Sequence, residues 1–188
     1  LLYQFVTLLK NGKKYKMSTR KANFITIDEL IQEIGPDVIR YFFIMRSMNT
    51  HLDFDLNLAK DQSEKNPVFY LQYAYARISN IIKRSTKINL NTTKQYKLLS
   101  HPKEIELLKH MMKFPEIIEN CHESLEPQNI ANYLQELATR FHKFYAECKV
   151  LNNDNIKLSS ARLGLIIAIK NIMQNGLKIL GISAPKKM

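Results

Sequence analysis

The chain's second part carries four apolar stripes at helical spacing, and these narrow its fold more than anything else in it. Val68, Leu71, Ala74, Ile78 and Ile81 recur at intervals of three and four, as do Ile105, Leu108 and Met112. Ile130, Leu134, Leu137, Phe141, Phe144 and Cys148 form a third stripe. Ala161, Leu165, Ala168 and Ile172 form a fourth, joined by Ile166, Ile169, Met173 and Leu177. The first helix opens with Pro67, which is suited to a first turn, and closes with the cations Lys83, Arg84 and Lys87, which suit a C-terminal dipole. The polar, turn-rich segment INLNTTKQYKLLSHP reads as a linker. Short connections between such stripes predict an antiparallel bundle of about four to five helices, so the fold class is mainly all-α.

Before Asn66-Pro67 the pattern is mixed. An apolar run over residues 2–9, the pair Asn11-Gly12 and a second short run predict a hairpin or a bend. Thr26 and Glu29 form a capping box ahead of Leu30, Ile31 and Ile34, and Gly35-Pro36 stops that short helix. A second helix begins at Asp37 with VIRYFFIM. After His51, LDFDLNLA alternates apolar and acidic residues, predicting a short strand and a further helical turn. The chain therefore divides into a small α/β junction segment over residues 1–65 and a helical domain over 66–188.

Charge points to a partner. Lys and Arg outnumber Asp and Glu by 28 to 17, leaving a net charge of +11. That balance favours a polyanion through counterion release, and it equally serves solubility. No apolar run approaches the roughly 20 residues of a spanning helix, and no secretory leader stands at the start, so no membrane partner is expected and a cytoplasmic location follows. Cys121 and Cys148 make no disulfide framework, and neither they nor the scattered histidines have paired zinc-ligand spacing, so no metal is expected.

Three groups of residues could carry chemistry. Lys16, Met17, Ser18, Thr19, Arg20 and Lys21 make a basic, hydroxyl-bearing loop after the hairpin. Such a loop can be ordinary solvated surface, or it can close over phosphates and stabilise charge on a transferring phosphoryl group. Asp53 and Asp55 alternate like a catalytic dyad, but Arg40 and Arg46 upstream make salt bridging the expected role. Phe69, Tyr70, Tyr73 and Tyr75 share a helix with Arg77, and Phe141, Phe144 and Tyr145 share another with Arg140, His142 and Lys143. That mixture stacks on and neutralises single-stranded RNA, although most of these rings must belong to the core.

The stretches KMSTRKANF, GPDVIRYFF, HLDFDLNLA and NPVFYLQYAYAR, with the ending NGLKILGISAPKKM, resemble the arginyl-tRNA synthetases, class I aminoacyl-tRNA synthetases. The resemblance implies that residues 16–20 are the class I signature loop. Lys16, Ser18 and Arg20 would then act on the ATP phosphates, with Met17 and Lys21 beside the nucleotide. Thr19 stands where other class I members have a second lysine, leaving Arg20, Lys21 or a residue outside the chain to fill that role. Asp37-Val38-Ile39-Arg40 resembles the D-A-L-R element of the family's anticodon-binding domain, with Val38 for alanine. The implied function is arginine activation by ATP, taken with Mg2+ as substrate of the full-length enzyme, and transfer to tRNA(Arg).

None of the 5 histidines forms the other class I signature, His-x-Gly-His, and 5 glycines are too few for a doubly wound sheet. The catalytic Rossmann domain is therefore expected upstream, and this piece alone should bind no ATP and be inactive. Every arginine anticodon carries a central C, so one pocket can read all isoacceptors. Tyr70, Tyr73, Arg77, Tyr145 and the terminal Met188 are the candidates for it. The competing reading is a stand-alone helical module that binds protein or tRNA without catalysis.

Overall fold

A computed structural model describes residues 4–17, 24–85 and 93–188. Strands β1 (Val6–Lys10) and β2 (Lys13–Lys14) pair antiparallel with Lys10 opposite Lys13. The two residues between them, Asn11 and Gly12, have φ of 52° and 71°. That left-handed pair is the geometry a two-residue hairpin needs, so the expected turn is a hairpin. Strand β3 (Leu52–Asp55) lies on the other side of β1, parallel to it, with Leu8 beside Phe54. The alternation that predicted this strand points Leu52 and Phe54 inward.

Helix α1 (Ile27–Ile34) carries the expected capping box: the Glu29 amide donates to Thr26 Oγ1 at 3.2 Å and the Thr26 amide to Glu29 Oε2 at 2.7 Å. Gly35, at φ 93°, breaks the chain before Pro36 opens α2 (Pro36–Ile44). Asp55 caps α3 (Leu56–Lys60), accepting from the amides of Asn57 and Leu58 at 2.9 and 3.2 Å. This corrects the expectation for the two aspartates, since no ion pair joins Asp53 or Asp55 to Arg40 or Arg46 among the described residues. Asp55 serves the backbone instead, because a carboxylate at the end of a strand meets the unpaired amides of the following helix.

The bundle consists of α4 (Pro67–Arg84), α5 (Pro102–Met111), α6 (Phe114–Ser124), α7 (Gln128–Glu147) and α8 (Ile156–Ile179). A 3₁₀ helix, Thr93–Leu98, lies within the stretch read as linker. Helix α7 is the hub, packing against α4, α5, α6 and α8, and Leu134, Leu137, Phe141 and Phe144 on its inner face are fully buried. Close approach of α8 to α7 depends on Gly176, where a Cβ would come within 2.8 Å of Leu134 Cδ2.

The core is continuous across the boundary near residue 66. Tyr41 of α2 is buried, accepts from Gln135 Nε2 at 2.9 Å and donates to the Ala131 carbonyl at 3.4 Å. Asn66 joins α3 to α4: its side chain caps α4 while its Nδ2 donates to the carbonyls of Ala59 and Asp61 at 3.1 and 2.9 Å. Among the described residues, no helix is long and apolar enough to cross a membrane.

Candidate anticodon-binding groove

Along α4, Tyr70, Tyr73, Arg77, Asn80 and Arg84 follow one another at intervals of three and four, so they share one helix face. Residues 141–145 of α7 pack beside that face, with Phe141 and Phe144 turned into the core. Tyr145, one position on, lies at the edge of the apolar stripe and is 38% exposed. The guanidinium of Arg77 fills the space between the helices, 4.7 Å from the ring centre of Tyr73 and 5.0 Å from that of Tyr145. Arg77 also donates from Nη2 to the Tyr73 hydroxyl. Two rings and a hydrogen bond thus hold one delocalised cation in place, the geometry in which cation–π attraction is most effective.

Two cavities meet at this Arg77–Tyr73 wall. One, of about 190 Å³, is lined by Tyr73, Ala76, Arg77, Asn80, Tyr145 and Met188, among others. The second, of about 610 Å³, is lined by Ser63, Glu64, Phe69, Tyr70, Tyr73, Arg77 and His142. In it the rings of Phe69 and Tyr73 are nearly parallel, 6.3 Å apart, and His142 stacks on Tyr73 at 5.9 Å. His142 also meets Tyr70 at 4.8 Å, and its Nε2 is buried with no protein partner. Burial, reinforced by the nearby Arg77 charge, pushes the His142 pKa down to about 4, so the ring is neutral at physiological pH.

All five residues singled out on the bundle, Tyr70, Tyr73, Arg77, Tyr145 and Met188, line one or both of these cavities. Of the wider set of aromatics, Tyr75, Phe141 and Phe144 are core residues, in line with the expectation that most of these rings are, and the Tyr75 hydroxyl donates to Gln174 Oε1 at 3.2 Å. Arg140 is also turned away, paired with Glu136 at 2.9 Å and Glu106 at 3.5 Å. Asn80 and Arg84 enter the site without having been assigned to it, and His142, named only in the wider mixture of basic and aromatic residues, lines the larger cavity. Asn80 and Arg84 had a usable signal, the three-and-four spacing from Arg77. The burial of His142 against two tyrosines of another helix had none.

Lys16 and Met17, just after β2, are exposed and line neither cavity. The Tyr15 amide ties the start of their segment to the hairpin by donating to the Leu8 carbonyl at 2.8 Å. The remaining loop candidates, Ser18, Arg20 and Lys21, lie outside the described residues. No cluster of His, Cys, Asp or Glu able to hold a metal ion is found among the described residues.

Comparison with known proteins places this groove in context. The profile of the DALR anticodon binding domain matches residues 71–188, and that of the class I tRNA synthetases (M) matches residues 5–86. The arginine–tRNA ligase of Salinibacter ruber is 46% identical over 190 residues, spanning 100% of this chain and 34% of the relative. That of Carboxydothermus hydrogenoformans is 46% identical over 192 residues, again spanning 100% of this chain and 34% of the relative. The chain thus spans about a third of the length of the curated relatives it matches. Among solved structures, a Campylobacter jejuni protein assigned as an arginyl-tRNA synthetase superposes with a TM-score of 0.81 at 32% identity, covering 100% of this chain and 40% of its own. Arginyl-tRNA synthetase from Plasmodium falciparum gives 0.71 at 28%, covering 87% of this chain and 29% of its own.

Proposed function

This chain belongs to the DALR anticodon binding domain family, and we propose that its α4–α7 groove binds the anticodon arm of tRNA(Arg) within an arginine–tRNA ligase. The observation that carries the reading is the Arg77 guanidinium held between the rings of Tyr73 and Tyr145 beside Met188. A splayed-out base needs an aromatic platform and hydrogen-bond partners for its Watson–Crick edge. The half-exposed Tyr145 ring and the Met188 thioether supply the platform. Arg77 supplies donors only, which fit the N3 and O2 acceptors of cytosine and oppose the N3–H of uracil. Arginine codons, CGN and AGR, all require a central C in the anticodon, so one such pocket serves every isoacceptor.

Residues 1–65 would belong to the end of the catalytic unit and its junction, and 66–188 to the anticodon-binding domain. In the whole enzyme, ATP with its Mg2+ and arginine would be substrates. The loop after β2 would contribute positive charge toward the ATP phosphates through Lys16, Ser18 and Arg20, flanked by Met17 and Lys21. A cytoplasmic place of action fits that role. The direct test is equilibrium binding of tRNA(Arg) to the chain and to Tyr145→Ala. Loss of one base–aromatic contact weakens binding by about 1 to 3 kcal/mol, and because Tyr145 sits at the edge of the core its removal should leave the melting temperature nearly unchanged. A large drop in melting temperature with unaltered binding would instead make Tyr145 a packing residue.

A further inference from the structure

Four residues separate the groove's terminal methionine from a hydrogen-bonded knot that lies outside the groove. Helix α8 ends at Ile179, and Gly181, at φ 68°, turns the chain back with the Ile182 amide donating to the Leu177 carbonyl at 2.9 Å. A residue in that left-handed conformation satisfies the last carbonyls of a helix and reverses its direction. The tail then meets α2. The Ser183 amide donates to Asp37 Oδ1 at 3.2 Å, and the Ser183 hydroxyl donates to Asp37 Oδ2. Gln72 of α4 closes the knot, its Nε2 lying 2.9 Å from Asp37 Oδ2, 3.2 Å from the Ser183 carbonyl oxygen and 3.2 Å from Ser183 Oγ.

Asp37 is therefore the acceptor on which donors from the tail and from α4 converge. An ionised carboxylate accepts all three and makes charge-assisted bonds. An asparagine would have to turn an NH2 toward at least one of those donors. Past Ser183, Ala184 packs on the core, Pro185 restricts the backbone, and Met188 comes to lie between two cavities. One is the groove cavity with Tyr73, Arg77 and Tyr145; the other is lined by Phe69 and Gln72, among others. Gln72 and Tyr73 are neighbours on α4, so the knot fixes the tail within a residue of the groove wall.

We infer that Asp37 is a positioning residue of the anticodon groove: by clasping Ser183 and Gln72 it holds the C-terminal tail so that Met188 stands beside Tyr145 and Arg77. This rests on the groove's reading as an anticodon site. It assigns a role to a side chain that does not line the groove cavity. The plainer alternative is that Asp37, in the first turn of α2, only stabilises that helix through its dipole.

A double-mutant cycle separates the two, using the chain and an anticodon stem-loop RNA with a central C. Deletion of Met188 weakens binding by about tenfold, the worth of one base contact. Asp37→Asn weakens binding by a comparable factor when Met188 is present, and by less than about twofold when it is absent, because two changes acting through one group do not add. Ser183→Ala, which removes a donor from the other end of the clasp, behaves like Asp37→Asn and serves if that variant folds poorly. An equal loss with and without Met188, or no loss in the intact tail, overturns the inference. If Tyr145→Ala weakens binding while deletion of Met188 does not, the groove stands and the clasp's role falls. If neither change affects binding, the anticodon reading itself falls, and the inference with it.

Discussion

At the scale of single residues, the groove joins a cation that aromatic rings hold in place to a histidine that burial keeps neutral. His142 has a consequence in pH. Its folded-state pKa of about 4 lies below the ordinary 6.5, so between these values the unfolded chain binds a proton that the folded chain refuses. Stability is therefore full above about pH 6.5 and is lost as pH falls toward 4, by at most about 3 kcal/mol from this group. Burial lowers the His110 pKa as well, so His110 adds a loss of the same sign. The comparison that isolates His142 is urea denaturation of the chain and of His142→Phe at pH 7 and pH 4.5. The variant should lose distinctly less stability on acidification; parallel losses would remove His142 from the account. Of the site residues, Tyr145 was legible because it falls one position past a core stripe. Met188 was legible because Pro185 forbids a continuing helix. The stacking of His142 was not, because it depends on the distance between two helices, and neither was the Asp37 clasp, which joins positions 37, 72 and 183.

At the scale of elements, the bundle is tied by polar groups as well as by apolar faces. Glu104, 1% exposed, receives Arg162 Nε at 2.6 Å and the His101 amide at 2.9 Å, while Arg162 Nη1 donates to the Lys149 carbonyl at 2.9 Å. That network fastens the start of α5 to α8 and to the α7–α8 connection. Arg162→Ala leaves a buried carboxylate without its partner and should cost about 3 to 5 kcal/mol. Arg162→Ala with Glu104→Gln should recover part of that loss in a thermal melt, and no recovery would mean that the arginine acts by packing alone. The stripes predicted α4, α5, α7 and α8 because each has one long apolar face. Helix α6 went unread although Ile117, Ile118 and Cys121 keep helical spacing, since acidic and polar residues interrupt its short run. The 3₁₀ helix was hidden in a polar sequence: Tyr96 lies against α8 where a Cβ at Gly164 would come within 2.9 Å of its ring. That is a fit between distant segments.

At the scale of the whole molecule, a small sheet and a helical bundle share one core, and the proposed function would distribute two chemistries over them: phosphate charge near the hairpin and base reading on the bundle. The first predicts that Lys16→Ala, placed in the full enzyme, slows arginine-dependent ATP–pyrophosphate exchange by roughly 10- to 1000-fold, as for loss of a charge-stabilising group. Unchanged exchange would detach the loop from the chemistry. The second is the central claim. The measurement that reaches it most directly is the affinity of the chain for an arginine anticodon stem-loop against the same RNA with its central C replaced by U, at one fixed salt concentration because phosphate contacts make affinity steeply salt-dependent. The account predicts that the change weakens binding by about tenfold or more and that Arg77→Ala, which removes the donors proposed to meet N3 and O2, abolishes the difference. Equal affinity for the two RNAs would contradict it.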